Sequence, residues 1–272
     1  MFIDTHCHPY LAKQKKLEEI LENFQRSDWK YLVSIWTDEK TSLESINLAK
    51  KYNFIYATVG IHPTDVLKSE KSLQENIEIL ENYIIENKEY IVGIWETWLD
   101  YYWVSENKEE FEKQKKLQHE YFLAHIQLAE KYDLPIIIHN RNSGQDILKV
   151  LEKTQFQNFI IHCFSENIDF ANKCFDISPN AMMSFSGIVT FKNAQEIAET
   201  ASKIPLRNIL IETDAPFLTP APYRWKQENE PAYTQYVLEK IIELRKESQE
   251  EIIQTIYNNS LEIFNLTNKK SA

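Results

Sequence analysis

Eight short runs of apolar, largely β-branched residues recur along the chain: MFIDT (1–5), YLVSI (31–35), FIYATV (54–59), YIVGI (90–94), PIIIH (135–139), FIIHC (159–163), AMMSF (181–185) and NILIE (208–212). Stretches with helical patterning separate them, over 39–52, 73–88, 107–132, 144–153 and 192–203, and two more follow near 231–245 and 248–264. A strand that alternates with a helix must pair in parallel with the next strand, because each helix carries the chain back across the sheet. Eight such units in 272 residues predict an α/β fold, a single (β/α)8 TIM barrel with its active site at the C-terminal rim of the strands. An open doubly wound sheet is the other arrangement of such units, but no Gly-rich phosphate loop supports it. The barrel domain is expected over residues 1–266, with 267–272 as a frayed C-terminal tail.

Several classes are excluded. No run reaches 18 apolar residues, so no membrane span is expected. The opening MFIDTHCH has neither the basic nor the apolar region of a secretion signal. Three cysteines do not make a disulfide framework, and a cytoplasmic location is expected. A net charge of −11 argues against a protein that coats DNA through a basic surface. An anionic substrate must be held locally, by metal ions or a few arginines. Nothing indicates an oligomer, and a monomer is expected.

The strand ends carry the chemistry. His6 and His8 follow the first run; residues two apart on a strand point the same way, so HxH suits one metal ion. Glu96 follows the fourth run, His139 ends the fifth, His162 ends the sixth, and Asp214 follows the eighth in IETDAP. A lone HxH is commonly structural, but in a barrel all six positions converge on one rim. Four histidines and two carboxylates exceed one ion and suit two: His6, His8 and Asp214 on one, His139 and His162 on the other, Glu96 bridging. Mixed imidazole and carboxylate donors admit Zn²⁺ or Mn²⁺, and Mg²⁺ where oxygen donors dominate. Such a pair activates a water, and Asp214 could take its proton. Arg141 and Arg224, in loops of the same rim, suit a phosphate. His119 and His125, inside the long helical stretch, read as ordinary helix residues. Cys7 and Cys163 alternate away from their histidine neighbours and read as core. Tyr101 and Tyr102 are candidates for stacking on bases, or for the wall of the pocket.

With these residues placed, FIDTHCH, VGIHP, ETWLDYYW, PIIIHNR, IIHCFS, MMSFSGIVTFKNA and IETDAPFLTP resemble, in order and over nearly the whole chain, the motifs of TatD-type metal-dependent deoxyribonucleases. The resemblance implies a (β/α)8 hydrolase of the metal-dependent hydrolase superfamily. It implies a divalent-metal DNase acting as a 3′–5′ exonuclease on single-stranded DNA or RNA, with a role in DNA repair or degradation. It puts the metal ligands on His6, His8, Glu96, His139, His162 and Asp214, with Asp214 and Glu96 catalytic. It puts substrate contacts on His62, Asp100, Arg141, Ser165 and Arg224. An amide or ester hydrolase on the same two-metal barrel is the first rival. A catalytically impaired, metal-poor homologue is the second, should Trp95 and Trp98 block the bridging site.

The departures from the family pattern share a residue. Average usage near 7% would give roughly 19 glycines, yet the chain has 4 glycines and 6 tryptophans. The family pattern GExGLDYY stands here as Trp95-Glu96-Thr97-Trp98-Leu99-Asp100, IGTD as Ile35-Trp36-Thr37-Asp38, and a turn glycine as Trp29. The loop after the eighth strand, usually RGKRNEP, reads Arg224-Trp225-Lys226-Gln227-Glu228-Asn229-Glu230-Pro231, one residue longer and without the second arginine. HCFSG becomes His162-Cys163-Phe164-Ser165-Glu166. Five of six tryptophans thus occupy glycine positions of the resemblance; Trp103 is the exception. A gene in which UGA encodes glycine, translated as if UGA encoded tryptophan, gives this pattern. The abundance of Lys, Asn and Ile suits the low-GC genomes in which such reassignment arises. Overpacking by a few methylenes costs about 1–3 kcal/mol, and several indoles at tight sites would approach a domain's whole stability of about 5–15 kcal/mol.

Overall fold

The structure is a computed structural model that describes residues 1–36, 38–67, 69–102 and 107–269. The side chains of Glu96, Trp98 and Asp100, and the whole of Trp103, lie outside the described residues. Eight strands form one sheet in sequence order, every pairing parallel: β1 Phe2–Cys7, β2 Trp29–Ser34, β3 Ile55–Val59, β4 Ile91–Asp100, β5 Ile136–Arg141, β6 Phe159–Ile161, β7 Met182–Phe185 and β8 Ile209–Ile211. The sheet closes where Asp214 N–H donates to the His6 carbonyl (2.9 Å) and His8 N–H to the Ala215 carbonyl (2.7 Å). This is the expected TIM barrel. Helices α1 Leu17–Arg26, α2 Glu39–Lys51, α3 Pro63–Val66, α4 Leu73–Glu86, α5 Lys108–Tyr132, α6 Gly144–Thr154, α7 Ile168–Ile177, α8 Gln195–Lys203, α9 Thr234–Leu244 and α10 Gln249–Ile263 wrap it. Of these, α1, α3 and α7 were not singled out from the sequence. Among the described residues no helix is long and apolar enough to cross a membrane.

The core has two shells, and alternation along each strand sorts residues between them. The inner cluster takes one residue from every strand: Ile3, Val33, Tyr56, Val92, Ile137, Ile160, Met182 and Leu210. The outer shell, between strands and helices, takes their neighbours, such as Leu32, Ile55, Ile138, Ile161 and Ile209. Two residues beyond the inner layer come His139, His162, Ser184 and Glu212, so the polar rim continues the inward-facing rows.

Strand four breaks that rhythm. Ile94 pairs with Ile136 and Thr97 with Ile138, so three steps on β4 face two on β5. The extra residue is a β-bulge at Trp95–Glu96, and Trp95 joins the inner cluster only three positions after Val92. Here the expectation needs correction. The fourth strand does not end before Glu96 but runs to Asp100, because β5 continues beside it to Arg141. His6 and His139 likewise lie inside β1 and β5 rather than at their ends, while His8 and His162 lie just beyond theirs.

Residues past 266 are not all tail. Leu266–Asn268 forms a 3-10 turn, and the Lys269 ammonium donates to the carbonyls of Lys88 (2.6 Å) and Ile91 (2.8 Å) at the start of β4. Residues 270–272 lie outside the described residues.

Candidate metal centre

At the C-terminal rim, His6 Nε2 lies 3.2 Å from His8 Nε2, and the two lie 3.5 and 3.4 Å from Asp214 Oδ1. Ligands about 2.0–2.1 Å from one tetrahedral ion stand roughly 3.3–3.4 Å apart. This triangle therefore has the edge lengths of three donors to one cation. Its members are held from behind. His8 Nδ1 lies 3.0 Å from the Ile35 carbonyl, which can only accept, so Nδ1 carries the proton and Nε2 keeps its lone pair. Asp214 is a non-glycine residue at φ 56, a conformation that turns its carboxylate back over β1.

Beside the triangle, His139 Nδ1 and His162 Nε2 lie 2.9 Å apart, and the His162 ring stacks on His6 at 3.9 Å. His6, His162 and Glu212 form a second group whose donor atoms lie within 4.8 Å of one another. Glu212 was missed in the sequence. Its Oε1 accepts the Cys163 N–H (2.8 Å) and lies 3.1 Å from His162 Nδ1. The signal was available: Leu210 faces inward, so Glu212, two residues on, must as well. Asp4 was also missed. It is fully buried and accepts from the N–H groups of His6 (3.2 Å) and Thr213 (3.0 Å) and from the Thr213 hydroxyl (2.6 Å), tying β1 to the chain after β8.

Burial dominates the charge states. It pushes the Asp4 carboxyl up to about 8 against those three hydrogen bonds, and Glu212 well above the carboxylate range, helped by Asp214. It pulls His162 down to about 3 and His6 and His139 well below the usual imidazole value, with neighbouring imidazoles adding to the effect. Neutral imidazoles are the form that binds metal.

The TatD-related DNase family model matches residues 3–265. The chain belongs to the TatD-related DNase family. It is thereby an enzyme of the hydrolase class, with metal-dependent hydrolases among its relatives. The uncharacterized metal-dependent hydrolase YabD of Bacillus subtilis is 35% identical over 269 residues, covering 98% of this chain and 100% of that protein. The uncharacterized metal-dependent hydrolase YcfH of Escherichia coli K12 is 32% identical, with 97% and 96% covered. The crystal structure of the TatD homolog YJJV from Escherichia coli K12 superposes with a TM-score of 0.85 at 25% identity, over 97% of this chain and 98% of that one.

Whether the residues of this TatD-family centre fit its metal depends on which side is tested. The His6–His8–Asp214 triangle fits one ion. Toward the barrel interior the fully buried Trp95 indole packs against His6 and His162 and brings no metal donor. Its ring centroid lies 4.0 Å from that of His6, 5.2 Å from His162 and 5.6 Å from His8, and its N–H meets no acceptor among the described residues.

The expected substrate contacts are dispersed along the rim. His62 is half-buried after β3, close enough to His139 to depress its basicity. Arg141, at the end of β5, stacks its guanidinium over Tyr102 at 3.9 Å. Ser165 is exposed and lines a groove with Lys192 and Asn193. Arg224 lies over the Phe191 ring at 3.5 Å and donates to Asn193 Oδ1 at 3.4 Å. The Asp100 side chain lies outside the described residues. Tyr101 is half-buried in the wall: its hydroxyl donates to Asp146 (2.9 Å) and lies 3.2 Å from His119 Nε2, so His119 is more than a plain helix residue. Cys7 packs in the outer core as expected, whereas Cys163 sits half-buried in the rim with Sγ 3.2 Å from Ser186 Oγ.

The five tryptophans separate. Trp225 stands at φ 68 with 89% of its surface exposed, a backbone that favours glycine. Trp29 opens β2 and packs on Phe2 (4.7 Å), and Trp36 packs on Tyr10 (4.2 Å), both on ordinary backbone. Trp95 occupies the bulge, and the Trp98 side chain lies outside the described residues.

Proposed function

We propose that this TatD-family protein is a divalent-metal-dependent phosphodiesterase that removes nucleotides from the 3′ end of single-stranded DNA. What carries the reading is the convergence of His6, His8, His139, His162 and Asp214 on one barrel rim in a chain of this family. His6, His8 and Asp214 would hold an ion that supplies a nucleophilic water and neutralises charge on the transferring phosphoryl group, and His139 and His162, with Glu96 between, would hold a second where the room at position 95 admits it.

The chain's own residues do the rest. Asp214, the most exposed member of the triangle, accepts the proton of the attacking water. The Ile35 carbonyl and Glu212 hold the His8 and His162 rings so that each presents Nε2. Arg141 and Arg224 present guanidinium edges from aromatic platforms and hold the phosphates flanking the scissile bond. His62 and Ser165 add polar contacts. Tyr102, 54% exposed beneath Arg141, offers a face to an unstacked base. A terminal single strand suits this rim, since an acidic protein has no basic track for a duplex.

The test is digestion of 3′-labelled and 5′-labelled single strands with Mg²⁺, Mn²⁺ or a chelator, by the chain as written and by W95G. Metal-dependent release of label from the 3′ end, with the 5′ label retained on a shortening ladder, is expected. Cleavage of acyl esters or amides with no cleavage of DNA would overturn the reading.

A further inference from the structure

We infer that Trp95 is the occupancy-determining residue of the metal centre: its indole closes the interior side to a second divalent ion, and glycine at position 95 opens it. This rests on the two-ion reading proposed above.

Three observations carry it. First, Trp95 and Glu96 are the paired residues of a β-bulge, in which three steps of β4 face two of β5. A bulge within a strand is a position where glycine relieves crowding, and where the chain re-aims a side chain beside a site. Second, the indole meets His6 (74°) and His162 (76°) edge-on, so it takes up space directly against a ligand candidate of each ion. It lends that ring no donor, since an indole nitrogen has no lone pair to give a metal. Third, its own N–H is buried without an acceptor. Tryptophan placed for packing usually finds a partner for that group when buried, and leaving it unmade is destabilising. The side chain here thus gains neither ligation nor a hydrogen bond from the polar centre it fills.

Trp225 supports the same origin by a different route. It is highly exposed at φ 68, and its ring contact with Arg224, at 5.0 Å, is a surface one, so the left-handed backbone there favours glycine. A glycine codon read as tryptophan would join the two, and the composition of 4 glycines and 6 tryptophans fits it.

The experiment is equilibrium dialysis of the full chain, W95G, W95A and W225G against Zn²⁺ and, separately, Mn²⁺, with bound metal per chain measured by elemental analysis. Thermal unfolding of each protein confirms that it is folded. Bound metal in W95G is expected to be about twice that of the chain as written, with W225G unchanged. W95A keeps a β-carbon but not the ring, and gives the same increase if W95G does not fold. Equal metal content in all four proteins overturns the proposal. A doubling in W95G without DNA cleavage leaves it standing and overturns the nuclease reading instead. The intact mass of the protein purified from its own cells gives a second readout. A mass lower by the indolylmethyl groups supports the shared cause, and the mass of the written sequence overturns it.

Discussion

His162 and Glu212 are tied by a 3.1 Å contact between Nδ1 and Oε1, and the same oxygen accepts the Cys163 N–H at 2.8 Å. The contact holds the His162 ring by Nδ1 and leaves Nε2 turned toward His139. A buried acidic side chain thereby orients a candidate ligand. Removing it as E212A should weaken Zn²⁺ binding about 10–100-fold, the usual effect of deleting a group that orients a metal-binding histidine. E212Q keeps an acceptor oxygen and should lose less. Calorimetric titration of both variants checks the order; equal loss, or none, would separate Glu212 from the centre.

D214N is the cleanest test of the proposed proton acceptor. Asparagine tolerates φ 56 as well as aspartate does, so the fold should survive. Loss of a general base typically lowers turnover about 10²–10⁴-fold. Turnover on a labelled single strand, read with a thermal melt on the same sample, distinguishes lost chemistry from lost structure.

His125 makes stability depend on acid. It is fully buried in α5, with Nδ1 2.8 Å from the Tyr121 carbonyl, and burial holds its pKa at about 4. The unfolded chain binds a proton near pH 6.5 that the folded chain refuses until about 4. Its contribution is therefore complete above pH 6.5 and is lost as pH falls toward 4, by about 3 kcal/mol at most. Denaturant unfolding of the parent and H125F at pH 7 and pH 4.5 should show a shallower loss in the variant.

Gly187 and Trp225 should respond in opposite senses. A β-carbon on Gly187 would stand 2.0 Å from the Leu218 carbonyl oxygen, which is backbone and cannot swing away. G187A should destabilise by about 1–3 kcal/mol. W225G relieves a left-handed backbone that packs against little, and should raise stability by up to about 1 kcal/mol. Thermal melts of the two variants, run together, check both signs.

Arg224 is placed to meet a phosphate from its platform on Phe191. R224A should weaken binding to single-stranded DNA of any sequence and lower the slope of log affinity against log salt by about 0.7–1. Fluorescence anisotropy across a salt series measures that slope; an unchanged slope would remove Arg224 from the interface.

The sequence by itself determined the barrel. Eight β-branched runs alternating with amphipathic helices leave no other economical way to bury both faces of each strand, and all eight appear within a few residues of where the pattern put them. It also determined which histidines meet, because period-two alternation sends Ile137 and His139, or Ile160 and His162, to the same side. Three things were decided only by the tertiary structure. The bulge in β4 depends on the neighbouring strand continuing to Arg141, and so the turn of Trp95 into the imidazole ring could not be read from β4 alone. The 3.2–3.5 Å triangle of His6, His8 and Asp214 joins residues more than 200 positions apart, and barrel closure sets its edges rather than any local motif. The roles of Asp4 and Glu212 depend on burial, which turns an ordinary acidic letter in a strand into a buried anchor for the residues around it.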